Sequence, residues 1–95
     1  MPSLPLEEAR SLLQQVSGWQ IRGNKLEKTF KFADFVSAMS FLNRVAEVAE
    51  AEGHHPDFCV HYSKVEMTLW THAAGGLTEN DFILAAKIDG LLEDR

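Results

Sequence analysis

Residues 33–53, "ADFVSAMSFLNRVAEVAEAEG", constrain the fold more than any other stretch. Apolar residues recur at helical spacing, Asp34 stands where an N-cap belongs, and Gly53 stands where a helix stops. On a helical wheel Phe35, Ala38, Met39, Phe41, Leu42, Val45, Ala46, Val48 and Ala49 cover an arc of about 180°, against the roughly 100° that suffices to sit on one core. Such a helix needs two partners. One is the core of its own chain; the other is either a second helix of that chain or a surface of another copy.

The flanking segments supply the rest of the core. "WQIRGNKLEKTFKF", residues 19–32, offers two short alternating runs around Gly23-Asn24, as in a hairpin. Trp19 and Ile21 share a face of the first run. Leu26, Phe30 and Phe32 share a face of the second, on which Lys28 is the exception. "DFCVHYSKVEMTLWTH", residues 57–72, reads as two more strands. The second has Val65, Met67, Leu69 and Thr71 on one face and Glu66, Thr68, Trp70 and His72 on the other, which aims His72 away from a helix-covered core. A first helix is expected from Leu4 to Val16, carried by Leu6, Ala9, Leu12, Leu13 and Val16, with Glu7 and Glu8 in its first turn and Ser17-Gly18 ending it. "AAGGL" breaks the sheet. Thr78 and Asp81 then resemble a capping box, followed by Phe82, Ile83, Ala85, Ala86, Leu91 and Leu92 at helical spacing. The order helix, two strands, helix, two strands, helix predicts an α+β fold: one four-stranded antiparallel sheet with helices on one face.

A chain of 95 residues is one domain's worth, so residues 1–95 are expected to form a single unit. Packing must hold it, because Cys59 is the only cysteine and allows neither an intrachain disulfide nor a multi-cysteine zinc site. A formal charge of −5, with nine scattered Lys and Arg, argues against a nucleic-acid partner. No apolar run is long enough to cross a bilayer, so no membrane partner is expected. The N-terminal "MPSLPLEEARSLL" lacks a basic region followed by an apolar stretch, which makes a cytoplasmic location the default.

The chemistry concentrates in "EAEGHHPDFCVHY", residues 50–62. Neutral imidazole is both donor and acceptor and titrates near neutrality, so histidines that converge on one pocket are suited to moving protons. Pro56 biases His55 toward an extended backbone and limits how far the pair can wander. Adjacent residues in an extended segment project to opposite sides, so His54 and His55 reach one point only if the turn after Gly53 reorients them. Three readings stay open. A metal site would draw on His54 or His55 with His61, His72 and a carboxylate, although no H-x-x-x-H helix pair or H-E-x-x-H pattern is present. A structural role would have His54 cap the helix end and His55 bond within the sheet. An acid/base site is the third. Cys59, in a strand, reads as a buried inert thiol and not as a nucleophile.

Glu50, His54-His55-Pro56, Tyr62, His72 and Asp81 are separated by three, five, nine and eight residues. This set resembles the signature of the pterin carbinolamine dehydratase family. Gly18-Trp19 and the K-V-x-x-T-L strand from Lys64 to Leu69 extend the resemblance over nearly the whole chain. The resemblance implies a hydro-lyase that removes water from the 4a-hydroxytetrahydropterin released by aromatic amino-acid hydroxylases. The product would be quinonoid dihydropterin, which feeds tetrahydrobiopterin recycling, and neither metal nor organic cofactor is implied.

By the same resemblance His54, His55 and His72 are the catalytic groups. One imidazole would protonate the departing hydroxyl while another takes the proton from the neighbouring ring nitrogen. Gly53, Trp70, Thr71, Ala73, Trp19 and Glu50 are implied on the substrate-binding side. For several of these an ordinary role competes. Glu50 orients a histidine or the substrate, or is a solvated helix-end carboxylate; Trp19 stacks near the pterin or fills the core. Trp70 and Thr71 make backbone contacts to the flat ring or simply pair in the strand, and Asp81 reads first as the cap partner of Thr78. Some members of the family carry an acidic residue where this chain has Gly53, and a carboxylate there would raise the basicity of a nearby imidazole. The resemblance further implies a homodimer joined sheet edge to sheet edge, or a homotetramer through the central helix. Its alternative function is a non-catalytic scaffold or dimerisation cofactor that stabilises a protein partner.

Overall fold

The computed structural model describes residues 3–16 and 18–93; Ser17, half of the expected stop of the first helix, lies outside the described residues. Alternation builds four strands, β1 (Gln20–Arg22), β2 (Lys25–Lys31), β3 (Asp57–His61) and β4 (Lys64–Leu69). Helical spacing builds α1 (Leu6–Leu13), α2 (Phe35–Glu52) and α3 (Glu79–Glu93), with a 3-10 turn at His72–Ala74. Gly23 and Asn24 both take left-handed backbone, φ 57° and 60°, which is what a tight β1–β2 hairpin requires. The sheet runs β1-β2-β4-β3, antiparallel throughout.

The register aligns Leu26 with Leu69, Phe30 with Val65, and Phe58 with Met67, all on one face. Against that face α2 contributes Ala38, Phe41, Leu42 and Val45, and α3 contributes Phe82, Leu84, Ala85 and Ile88, forming one core that Ala9 of α1 joins. This is the expected α+β arrangement. Phe41 fits between Phe30 and Phe32, with ring centroids 4.9 and 5.0 Å away. The wide apolar arc of α2 is covered in part by α3, which packs beside it. Phe35, Val36 and Met39, near the start of α2, remain 48, 72 and 36% exposed.

Lys28, the exception on the apolar face, has its reason. Its ammonium lies 2.7 Å from Asp89 of α3, and the Trp19 indole N–H donates to the same carboxylate at 3.1 and 3.2 Å. The charge on the sheet is thus met by a charge on the covering helix.

Four expectations are corrected. β4 ends at Leu69 and does not continue to His72, because the chain leaves the ladder there. Thr71 bridges to Gly76, and the residues between make the 3-10 turn, closed by Gly75 at φ 69°. α1 is shorter than Leu4–Val16: Pro5 precedes it and Gln14 caps it. In α3 the buried face is Phe82, Leu84, Ala85 and Ile88, while Ile83 and Ala86 are exposed. Both sides of this helix are apolar, so periodicity alone does not choose the buried one; packing on α2 and the sheet does. Cys59 is exposed, since its strand forms one edge of the sheet and its side chain is on the face away from the helices.

Asp34 caps α2 as expected, its carboxylate accepting from the Ser37 amide at 2.8 Å. That bond holds the Asp34 carboxyl below its ordinary value of 3.8. A folded value below the unfolded one means that the cap's ionic contribution is complete above the unfolded value and is lost as pH falls through the folded one. Asp34→Ala is therefore expected to lower Tm by a few degrees at neutral pH, with the gap to wild type closing in acid. Thermal melts at both pH values check this.

Candidate active site

The histidine pair is placed by how α2 stops. Gly53 adopts φ 66°, which an L side chain resists, and the chain folds back over the helix end. The Gly53 amide bonds to the Glu50 carbonyl at 3.3 Å and the His54 amide to the Ala49 carbonyl at 3.1 Å, the paired bonds of a Schellman motif. Pro56 then holds His55 extended, and β3 begins at Asp57. The register Asp57↔Thr68 sets residues 54–56, just before β3, beside residues 70–72, just after β4. One end of the sheet thus receives His54, His55, Trp70, Thr71 and His72.

His54 turns inward. Its Nε2 lies 2.5 Å from Oδ1 of Asp81, whose carboxylate is fully buried at the start of α3. The other oxygen of Asp81 accepts from the Thr78 amide at 2.9 Å and from the Thr71 hydroxyl at 3.0 Å. Because Thr71 gives its hydrogen to Asp81, the Thr78 hydroxyl donates to Thr71 across 2.8 Å. Every oxygen of the carboxylate is engaged. As an ionised Asp81 is an acceptor only, His54 Nε2 carries a hydrogen, and in the neutral ring Nδ1 keeps the lone pair. Asp81 is the cap partner of Thr78, as expected, and in addition holds the imidazole of His54. The histidine–carboxylate bond spans 27 residues of sequence, and the presence of Asp81 in the spaced set was its one sequence signal.

His55 turns outward, with Nε2 2.5 Å from Glu50 Oε2 and both side chains largely exposed. The two rings diverge, as adjacent residues in extended chain do. Glu50 is both a largely exposed carboxylate in the last turn of α2 and the hydrogen-bond partner of His55. His72 is exposed on the 3-10 turn, its ring lying against Trp70 with centroids 3.8 Å apart and the planes tilted by 37°. Among the described residues its ring nitrogens have no hydrogen-bond partner. Ala73 follows it in the same turn, also exposed.

Two residues stand elsewhere. Trp19 is 4% exposed, packed edge-on against Phe30 with its N–H given to Asp89; it fills the core and does not join the histidines. His61 is at the far end of β3, 3.8 Å from Glu66, so the donor set of the metal reading is not brought together. Among the described residues no three His, Cys, Asp or Glu side chains are grouped to hold a metal ion. A concavity of about 620 Å³ lies on the sheet face away from the helices, lined by Gln20, Arg22, Glu27, Thr29, Glu66 and Thr68 among others, and none of His54, His55 and His72 lines it. No helix among the described residues is long and apolar enough to cross a membrane.

Comparison with known proteins gives a consistent set of relatives. A sequence model of the family described as pterin 4 alpha carbinolamine dehydratase matches residues 2–91. A protein of Sulfurisphaera tokodaii, provisionally named a pterin-4-alpha-carbinolamine dehydratase, is 49% identical over 92 residues, covering 97% of this chain and 99% of its own. The crystal structure of a Brucella melitensis protein described as a transcriptional coactivator/pterin dehydratase superposes with a TM-score of 0.90 at 34% identity, over 94% of this chain and 97% of that one. A pterin dehydratase-like protein identified as a RuBisCO assembly factor in the alpha-carboxysome superposes with a TM-score of 0.63 at 30% identity, over 77% and 84%.

Proposed function

The chain belongs to the pterin 4 alpha carbinolamine dehydratase family, and from that premise we propose that it is a cytoplasmic hydro-lyase that dehydrates a 4a-hydroxytetrahydropterin within one domain, residues 1–95. His54, His55 and His72 are its acid and base groups. The observation that carries the reading is the buried Asp81 carboxylate behind His54. A carboxylate in that position fixes the imidazole's orientation and stabilises the cation formed when the free Nδ1 takes a proton. His54 is therefore the base that removes the proton from the pterin ring nitrogen next to the hydroxyl-bearing carbon.

His72, whose ring nitrogens have no hydrogen-bond partner among the described residues, is the acid. It gives a proton to the hydroxyl as the carbon–oxygen bond breaks, so water leaves while the ring nitrogen's electron pair forms the new double bond. The proton held by His54 returns to His72 through solvent, and His55, paired with Glu50 at the exposed rim, is the relay. Each of the two proton transfers is worth on the order of 10²–10⁴-fold. The Gly53 carbonyl and the Ala73 backbone offer polar groups to the edge of the flat ring. Thr71, whose backbone is spent on Gly76 and Ala74, holds the turn that lines it, Trp70 offers an apolar surface, and Trp19 stays out of the site.

Adding the protein to a phenylalanine hydroxylase reaction should speed the decay of the carbinolamine absorbance, and His72→Ala should abolish the gain. A wild-type protein that leaves the decay unchanged overturns the enzyme reading. It would favour the second reading, a scaffold that stabilises a protein partner, which the similarity to the assembly factor supports.

The exposed Phe35, Val36 and Met39 of α2, and Phe58 on edge strand β3, support a homodimer or homotetramer. Light scattering after size exclusion should give a mass of at least two chains, reduced by the pair Val36→Glu and Met39→Glu. A monomeric wild type overturns this part.

A further inference from the structure

Trp70 has more fixed contacts than a lining residue needs. Its indole N–H donates to Asp57 Oδ2 at 3.1 Å. The ammonium of Lys25 lies 4.4 Å from its ring centroid. The imidazole of His72 lies 3.8 Å from it, centroid to centroid, at an interplanar angle of 37°. The sheet register explains why the first two partners are available. Leu26 pairs with Leu69, so Lys25 is the cross-strand neighbour one step on, beside Trp70. Asp57 pairs with Thr68, which makes it the diagonal neighbour of Trp70, within reach of a long aromatic side chain. All three belong to the face away from the helices, where water leaves an unattached side chain free to rotate.

His72 needs such a support. It is exposed, it sits on a single 3-10 turn of three residues, and its ring has no hydrogen bond among the described residues. His54 is held by Asp81 and His55 by Glu50. For His72 the one ring contact among the described residues is the tilted packing on Trp70. Proton transfer requires the donor nitrogen within hydrogen-bond reach of the departing oxygen, and an imidazole that must be ordered at each turnover loses rate in proportion.

We propose that Trp70 is a positioning residue for His72, itself anchored from two sides by Asp57 and Lys25, so that the acid's ring is set before substrate arrives. The inference rests on His72 being the acid of the dehydration. It extends the site to two residues, Asp57 and Lys25, that do not touch substrate.

The test combines proton–carbon correlation spectra of the His72 ring with steady-state kinetics of carbinolamine decay. In Trp70→Ala the His72 ring-proton resonances should move downfield as the indole ring current is lost. At the same time kcat should fall about two- to tenfold, the worth of one aromatic contact, with KM little changed. Trp70→Phe should restore most of the rate by keeping a stacking face. Asp57→Ala should give a smaller loss in the same direction, and Asp57→Asn, which still accepts the indole hydrogen bond, should behave as wild type. Because Asp57 is exposed, its variants keep the proposal testable should Trp70→Ala fail to fold. Resonances that do not move, or that move with kcat unchanged, overturn it. The His72→Ala variant separates this proposal from the reading beneath it. If that variant keeps wild-type turnover, the acid assignment falls; if it is inactive while Trp70→Ala is fully active, only the positioning role falls.

Discussion

Asp81→Asn is expected to reduce kcat by about 10²–10⁴-fold, comparable to removing a general base outright. The substitution changes one group's hydrogens and almost no volume. Aspartate accepts the hydrogen of His54 Nε2 at 2.5 Å, which leaves Nδ1 unprotonated and able to take a proton. Asparagine keeps one carbonyl oxygen, and the Thr78 amide and Thr71 hydroxyl claim it from one side. Its amide nitrogen must then face His54 and donate, which forces the hydrogen of the neutral ring onto Nδ1 and removes the lone pair that the proposed base needs. The stabilisation of the imidazolium goes with the charge.

The cap at the start of α3 survives this change, so far-UV circular dichroism should match wild type and Tm should fall by only a few degrees. Kinetics of carbinolamine decay, run beside a thermal melt, read the two roles of Asp81 separately. A variant that keeps its kcat and merely melts earlier would make Asp81 a helix cap and nothing else, and would remove His54 from the base position.

How much of this was legible in the sequence depends on how far apart the interacting groups are. Asp34, Gly53 and Gly23-Asn24 act on their immediate neighbours, and each is where its local chemistry placed it. Strand faces were legible wherever alternation was strict, as in β4 with Val65, Met67 and Leu69 all buried. The end of that strand was not, because Trp70, Thr71 and His72 continue the alternation on paper. What ends the ladder is the bridge from Thr71 to Gly76, a contact made by a turn that alternation does not describe.

The site shows the same division. That His54 and His55 diverge follows from their adjacency. Which carboxylate each would find does not, since Asp81 lies 27 residues from His54 and reaches it only when α3 docks on α2. The spaced histidine signature named the residues but not their pairings. Lys25 and Asp57 carried no signal at all beyond strand composition, and they join Trp70 only through the register of three strands.

The cluster of Lys28, Asp89 and Trp19 yields the largest expected effect on stability. Asp89 accepts from the Lys28 ammonium at 2.7 Å and from the Trp19 indole, with the two charged side chains only 15 and 19% exposed. Asp89→Ala removes an acceptor from a charged donor and from a buried aromatic N–H together. The cost is about 2–3 kcal/mol, below that of a fully buried pair because some water reaches this one. For a chain of this size that corresponds to a drop in Tm of about 10–20 °C. The charge pair itself is a poor source of stability, since its desolvation offsets most of its attraction. The double variant Lys28→Met, Asp89→Leu should therefore regain part of the loss, with the Trp19 N–H left without its acceptor. Thermal melts of Lys28→Met, of Asp89→Leu and of the double close the cycle. Should Asp89→Ala melt within a degree or two of wild type, the cluster behaves as an exposed ion pair, and Lys28 on the apolar face of β2 would need another explanation.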